Sequence, residues 1–149
     1  MAGLRLSVQT GLIVTGTTKK TLLQLVAPTN QRLLVKEISV SFNGTSSTQR
    51  PIHVQVERQS TAGTMSSLPP VKINTGDDET AQSTAQHTAT VQPTSGNEVL
   101  GESVHPQGGS FLWQAPFGGE IVVKGGERLG ITVTAVATTN AKARFIYDE

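Results

Sequence analysis

The chain has 149 residues, with 12 basic and 11 acidic side chains, a formal net charge of +1, no cysteine, one tryptophan and one tyrosine. That length suits one domain, large enough to fold without a staple, and the missing cysteine excludes disulfides and thiolate metal sites. The balanced charge lacks the basic excess that phosphate neutralisation demands, so nucleic acid is not an expected partner, and no stretch approaches the roughly 20 apolar residues of a membrane span.

From the start of the chain, Leu4–Val8, Leu12–Val14 and Leu22–Val26 look like short strands, and Pro28, Thr29 and Asn30 break the third. A secretory leader is not expected, because Arg5, Ser7 and Gln9 interrupt the apolar run it needs. Leu34 to Phe42 alternates with period two. Ile38, Val40 and Phe42 then share a face with Lys36, while Glu37, Ser39 and Ser41 share the other. Asn43-Gly44 supplies a turn that tolerates positive φ, and Ile52–Glu57 alternates again. These two runs read as adjacent antiparallel strands.

Residues 59–109 form a polar insert rich in Ser, Thr, Gly, Gln and Pro. A structureless loop of that length is unusual in a compact domain. Val71–Ile73 and Thr88–Val91 are therefore expected as strands, with Val99, Leu100 and Val104 on the core and Asp77-Asp78-Glu79 as one helical turn. Beyond the insert, Phe111-Leu112-Trp113 is a short strand stopped by Pro116. Glu120–Lys124, Leu129–Ala135 and Ala143–Tyr147 follow, punctuated by Gly118-Gly119 and Gly125-Gly126. Many short strands separated by Gly and Pro turns predict an all-β, antiparallel sandwich, one domain over residues 1–149.

The chemistry-bearing residues do not assemble into a recognisable pattern. His53, His87 and His105 lack metal-ligand spacing. No Gly-x-Ser-x-Gly elbow marks a nucleophile, Asp77-Asp78-Glu79 lacks the alternation of a calcium loop, and strands rather than a helix follow the glycine pairs. Glu98 and Glu102 make no case for paired-carboxylate catalysis. The expectation is a protein that is not an enzyme and uses no cofactor or metal. Trp113, between Leu112 and Gln114, reads as core or subunit interface, with an exposed anchor as the alternative.

Two stretches are similar to small structural proteins of tailed bacteriophages. One runs Ala27-Pro28-Thr29-Asn30-Gln31-Arg32 into Val35–Thr45 and then Pro51-Ile52-His53-Val54. The other runs His105-Pro106-Gln107-Gly108-Gly109 into Trp113-Gln114-Ala115-Pro116, Gly118–Val123 and Glu127–Ile131. In this they resemble the jelly-roll head decoration, or cement, proteins. The resemblance implies a jelly-roll-like sandwich and a homotrimer bound to the major capsid protein on the outside of the head. Synthesis in the host cytoplasm would precede its place on the virion. Leu112, Trp113 and Phe117 are candidates for the oligomer interface. Leu4, Arg5, Leu6, Val8 and Gln9 are candidates for an arm or strand reaching a neighbour or the shell. A phage tail or fibre-tip module that binds a host glycan or receptor is the alternative.

Overall fold

A computed structural model describes residues 3–149; Met1 and Ala2 of the expected leaderless start lie outside the described residues. Thirteen strands run through them: β1 (Arg5–Gln9), β2 (Ile13–Val14), β3 (Lys20–Val26), β4 (Leu33–Phe42), β5 (Ile52–Gln59), β6 (Thr64–Ser67), β7 (Val71–Lys72), β8 (Thr84–Val91), β9 (Ser95–Val104), β10 (Ser110–Gln114), β11 (Ile121–Val123), β12 (Arg128–Thr134) and β13 (Asn140–Asp148). They form a two-sheet β-sandwich. One sheet has the order β10-β4-β13-β1-β7, with β11 also on β4 and β2 on β13; the other runs β6-β8-β3-β12-β5-β9. All pairings are antiparallel.

Alternation along each strand sends one set of side chains between the sheets. Leu6, Ile38, Val40, Phe145 and Tyr147 from the first sheet meet Leu25, Val54, Val56, Ile131 and Val133 from the second, all fully buried. At about 1.5–3 kcal/mol for each buried large aliphatic or aromatic side chain, this layer is the main stabilising term.

Several expectations change in the fold. The runs at 34–42 and 52–57 are not neighbours, since β4 pairs with β13, β10 and β11, whereas β5 pairs with β12 and β9. Alternation identifies which face of a strand is buried and says nothing about its partner. Lys36 leaves the face of Ile38 because Glu37 pairs with Ile146 while Val35 pairs with Tyr147, so Lys36 is the extra residue of a β-bulge. Gly44 is needed for a close approach rather than a positive φ: its N–H donates to Pro106 O at 2.7 Å, and a Cβ there would lie 2.6 Å from the same oxygen.

The polar insert is largely ordered. It contributes β6, β7, β8 and the long β9, with Val104 buried, Leu100 packed on the core and Val99 exposed. The acidic run holds no helical turn. Asp77 N–H bonds back to Asn74 O, and Lys72 Nζ donates to Asp77 O at 2.7 Å, closing a tight loop instead. Parts of the insert cover the outside of the second sheet, where a polar layer is buried. Gln24 Nε2 donates to Gln59 Oε1 (2.7 Å) and Thr61 O (3.0 Å), and Gln59 Nε2 donates to Thr21 Oγ1 (3.0 Å). Glu57, 2% exposed, is held by Lys19 Nζ (2.8 Å) and Ser95 Oγ (2.9 Å). Gly130 makes room for this layer, since a Cβ there would strike the Gln59 amide.

Candidate interaction surface

β4 is ten residues long, and two short strands share its free flank: β10 covers residues 37–41 and β11 covers residues 33–35. The bulge at Lys36 marks their junction, where Ala115 N–H donates to Lys36 O at 2.8 Å. Between them the chain reverses at Pro116-Phe117-Gly118-Gly119. Gly119 N–H bonds to Pro116 O at 2.8 Å, and Gly118 has φ +74°. This is a type II turn, whose third position favours glycine. Phe117 occupies the second position and stands wholly in solvent at the tip.

The register decides what the flank shows. Phe111 and Trp113 pair with Val40 and Ile38 and turn inward; Phe111 is buried and Trp113 is partly buried against the core. Leu112 pairs with Ser39 and turns outward, 57% exposed. Val122, opposite Leu34 on β11, is 41% exposed. Leu112, Phe117 and Val122 thus form an apolar rim along one side of the first sheet, and β10 is the terminal strand there. Free edges with apolar side chains invite pairing with another chain, and folded proteins ordinarily blunt or cover them.

Beside the rim, the outer face of the sheet carries paired charges. Arg5 Nε and Nη2 reach the Asp148 carboxylate at 2.7 and 3.0 Å, and Lys36 Nζ bridges Asp148 (3.7 Å) and Glu120 (2.6 Å). Arg144 Nη2 bonds Glu37 Oε1 at 2.6 Å. The hydrogen bond from Lys36 holds the Glu120 carboxyl below its ordinary range, and the bond to Asp148 raises the Arg5 guanidinium.

The two groups of predicted contact residues fare differently. Leu112, Trp113 and Phe117 come together on the flank, two exposed and one half-buried. In the segment from Leu4 to Gln9, Leu4, Leu6 and Val8 are buried in the protein's own core. The segment is a strand bonded to β13 along its length, not a free arm, and only Arg5, Ser7 and Gln9 turn outward. Burial of three apolar side chains outweighs any gain from leaving the segment loose.

Val122 escaped the sequence analysis, although its alternation with Ile121 and Val123 already placed an apolar residue on a solvent face. The histidines stay apart. His53 lies 3.8 Å from Glu98, and His87 bonds Thr88 Oγ1. His105 Nδ1 accepts from Gln107 N–H, which leaves Nε2–H facing Ser47 O. Among the described residues no group of three or more His, Asp or Glu stands ready to hold a metal ion. Comparison with family models, curated proteins and solved structures finds no match for the chain.

Proposed function

We propose that the protein is a phage head decoration protein that acts by surface contact, on a jelly-roll scaffold, as a homotrimer bound to the major capsid protein. The jelly-roll part is supported by a nested pairing. β1 pairs with β13, β3 with β12, β4 with β10 and β5 with β9, the order obtained by rolling up one long antiparallel ribbon. In this scheme β6, β7 and β8 are additions between the fourth and fifth ribbon strands.

The observation that carries the functional proposal is the rim of Leu112, Phe117 and Val122 on the terminal strand side of the first sheet. A wholly exposed phenylalanine on a rigid turn is costly to keep in water and well suited to fill a pocket on another surface. The rim serves the subunit interface, and the ionic outer face with Arg5 and Gln9 is the candidate for the shell. Such a protein performs no chemistry and needs no cofactor.

The test is light scattering of the purified protein, followed by co-sedimentation with expanded heads of the capsid protein encoded in the same genome. A trimer that co-sediments supports the proposal. A stable monomer that ignores heads overturns it, and adhesion to host cells that free sugar blocks would transfer the protein to the tail or fibre tip.

A further inference from the structure

The outer face of the first sheet holds a small pocket with its own chemistry. β4 and β13 lie side by side there in regular register, with Ser39 opposite Arg144, Val40 opposite Ala143 and Ser41 opposite Lys142. Ser39 and Ser41 alternate with the buried Ile38, Val40 and Phe42, and Lys142 and Arg144 alternate with the buried Ala141, Ala143 and Phe145. All four therefore project from the same face. With strands about 4.8 Å apart and alternate residues roughly 7 Å apart, they stand at the corners of a small rectangle. Its centre is the Val40–Ala143 pair, whose side chains point into the core, so the floor is bare backbone. On the far side of β13, Gln9 pairs with Arg144 and also turns outward. These residues line a pocket of about 140 Å³, well below the size of sites that enclose drug-sized molecules.

The lining is rich in donors that the protein does not use. Among the described residues Lys142 makes no ion pair. Arg144 spends Nη2 on Glu37 Oε1 at 2.6 Å, and its Nε is buried without a partner. Two cations against the one carboxylate of Glu37 leave the pocket net positive. It offers an ammonium, the free Nη1 of a guanidinium, two hydroxyls and an amide, arranged around a common centre. A planar carboxylate is met best by two parallel N–H groups of one guanidinium. That fork is spoiled here, because Nη2 is taken and Nε is covered. Donors spread over three strands instead suit an anion whose oxygens point in several directions.

We infer that this pocket binds a single tetrahedral oxyanion, a phosphate or sulfate group, held by Lys142 and Arg144 with Ser39, Ser41 and Gln9 around it. The pocket borders the rim, through Leu112 opposite Ser39, and shares Gln9 with the face given to the shell. Anion binding is measured on the purified protein without heads, so it and the decoration reading fail separately.

The probe is inorganic phosphate, titrated at fixed pH and ionic strength and followed by amide NMR shifts, with acetate as the planar anion and chloride as the ionic control. Saturable shifts at Ser39, Ser41, Lys142 and Arg144 are expected with phosphate and absent with chloride. Lys142→Gln should weaken binding roughly tenfold, the size of a lost charge-assisted hydrogen bond. Ser39→Ala with Ser41→Ala should weaken it about threefold or more without removing charge. Lys124→Gln, which removes an exposed charge after β11, should leave it unchanged. Methyl phosphate binding as well as the free ion would support a phosphate carried on a larger molecule, and binding of the free ion alone would support phosphate itself. No saturable shift in the wild type would overturn the inference. So would acetate binding as tightly as phosphate, an equal loss in Lys124→Gln, or unchanged affinity in folded Lys142→Gln.

Discussion

At the scale of single residues, small chemical features decide whether the buried polar layer and the bulges hold. Gly130 leaves the space that the Gln59 amide fills, and Gln59 in turn bonds Gln24 and Thr21. Gly130→Ala should therefore destabilise by about 2–3 kcal/mol, combining overpacking with unpaired buried amide groups; urea unfolding measures it. Thr88 is a β-branched residue at φ 58°, where the left-handed backbone is strained. Asparagine tolerates that conformation, so Thr88→Asn should stabilise by roughly 0.5–1 kcal/mol by the same assay. Tyr147 is the single tyrosine, and burial pushes its phenol well up, partly opposed by the bond with Ser83 and reinforced by nearby Glu149. A raised folded-state pKa means stability is fully present below the unfolded value near 10 and declines above it, by about 1.4 kcal/mol per pH unit, until the folded phenol ionises. Phenolate absorbance reads the group directly, and Tyr147→Phe should remove that part of the alkaline slope.

Whole elements respond to what their edges meet. β10 and β11 present the apolar rim, and Leu112 and Phe117 carry little of the internal packing because they face solvent. Leu112→Lys with Phe117→Ser should abolish self-association in light scattering while leaving the thermal midpoint within a few degrees. Trp113 is less clean: it packs on the core as well as reaching the flank, so Trp113→Ala should weaken a trimer by about 2 kcal/mol or more and also loosen β10. The insert is anchored near its middle by the last residue of the chain. The Glu149 carboxylate accepts from Gln82 N–H (2.6 Å), Ser83 N–H (3.0 Å) and Gln31 Nε2 (2.7 Å), and Ser83 Oγ links it to Tyr147. Glu149→Ala should speed limited proteolysis between residues 68 and 83, read by mass spectrometry, with little change elsewhere.

For the molecule as a whole, the decoration proposal requires that exposed apolar surface be covered by assembly. Stability should then rise with protein concentration, because association removes the folded monomer from the unfolding equilibrium. Fluorescence of the single tryptophan, Trp113, which lies on the flank strand, should shift over the same concentration range as the molar mass. A concentration-independent midpoint together with a monomeric mass would leave the rim without a self-partner.

Much of the fold is legible in the residues alone. The runs at 34–42, 52–57, 129–135 and 143–147 match strands to within a few residues, because alternation follows directly from the pleat and from the need to bury one face. The outward turn of Leu112 is legible for the same reason, since it sits out of phase with Phe111 and Trp113, whereas Phe117 lies in a turn that alternation does not describe. Partners were not legible. The separation of β4 from β5, the bulge that expels Lys36 and the burial of Leu4, Leu6 and Val8 all depend on which strand lies alongside, and period two is blind to that. Composition and alternation by themselves determined an all-β chain with one buried face per strand. Only the tertiary structure decided the pairing, the covered polar layer and the surfaces left exposed, because these arise from long-range contacts between segments that carry no local mark of one another.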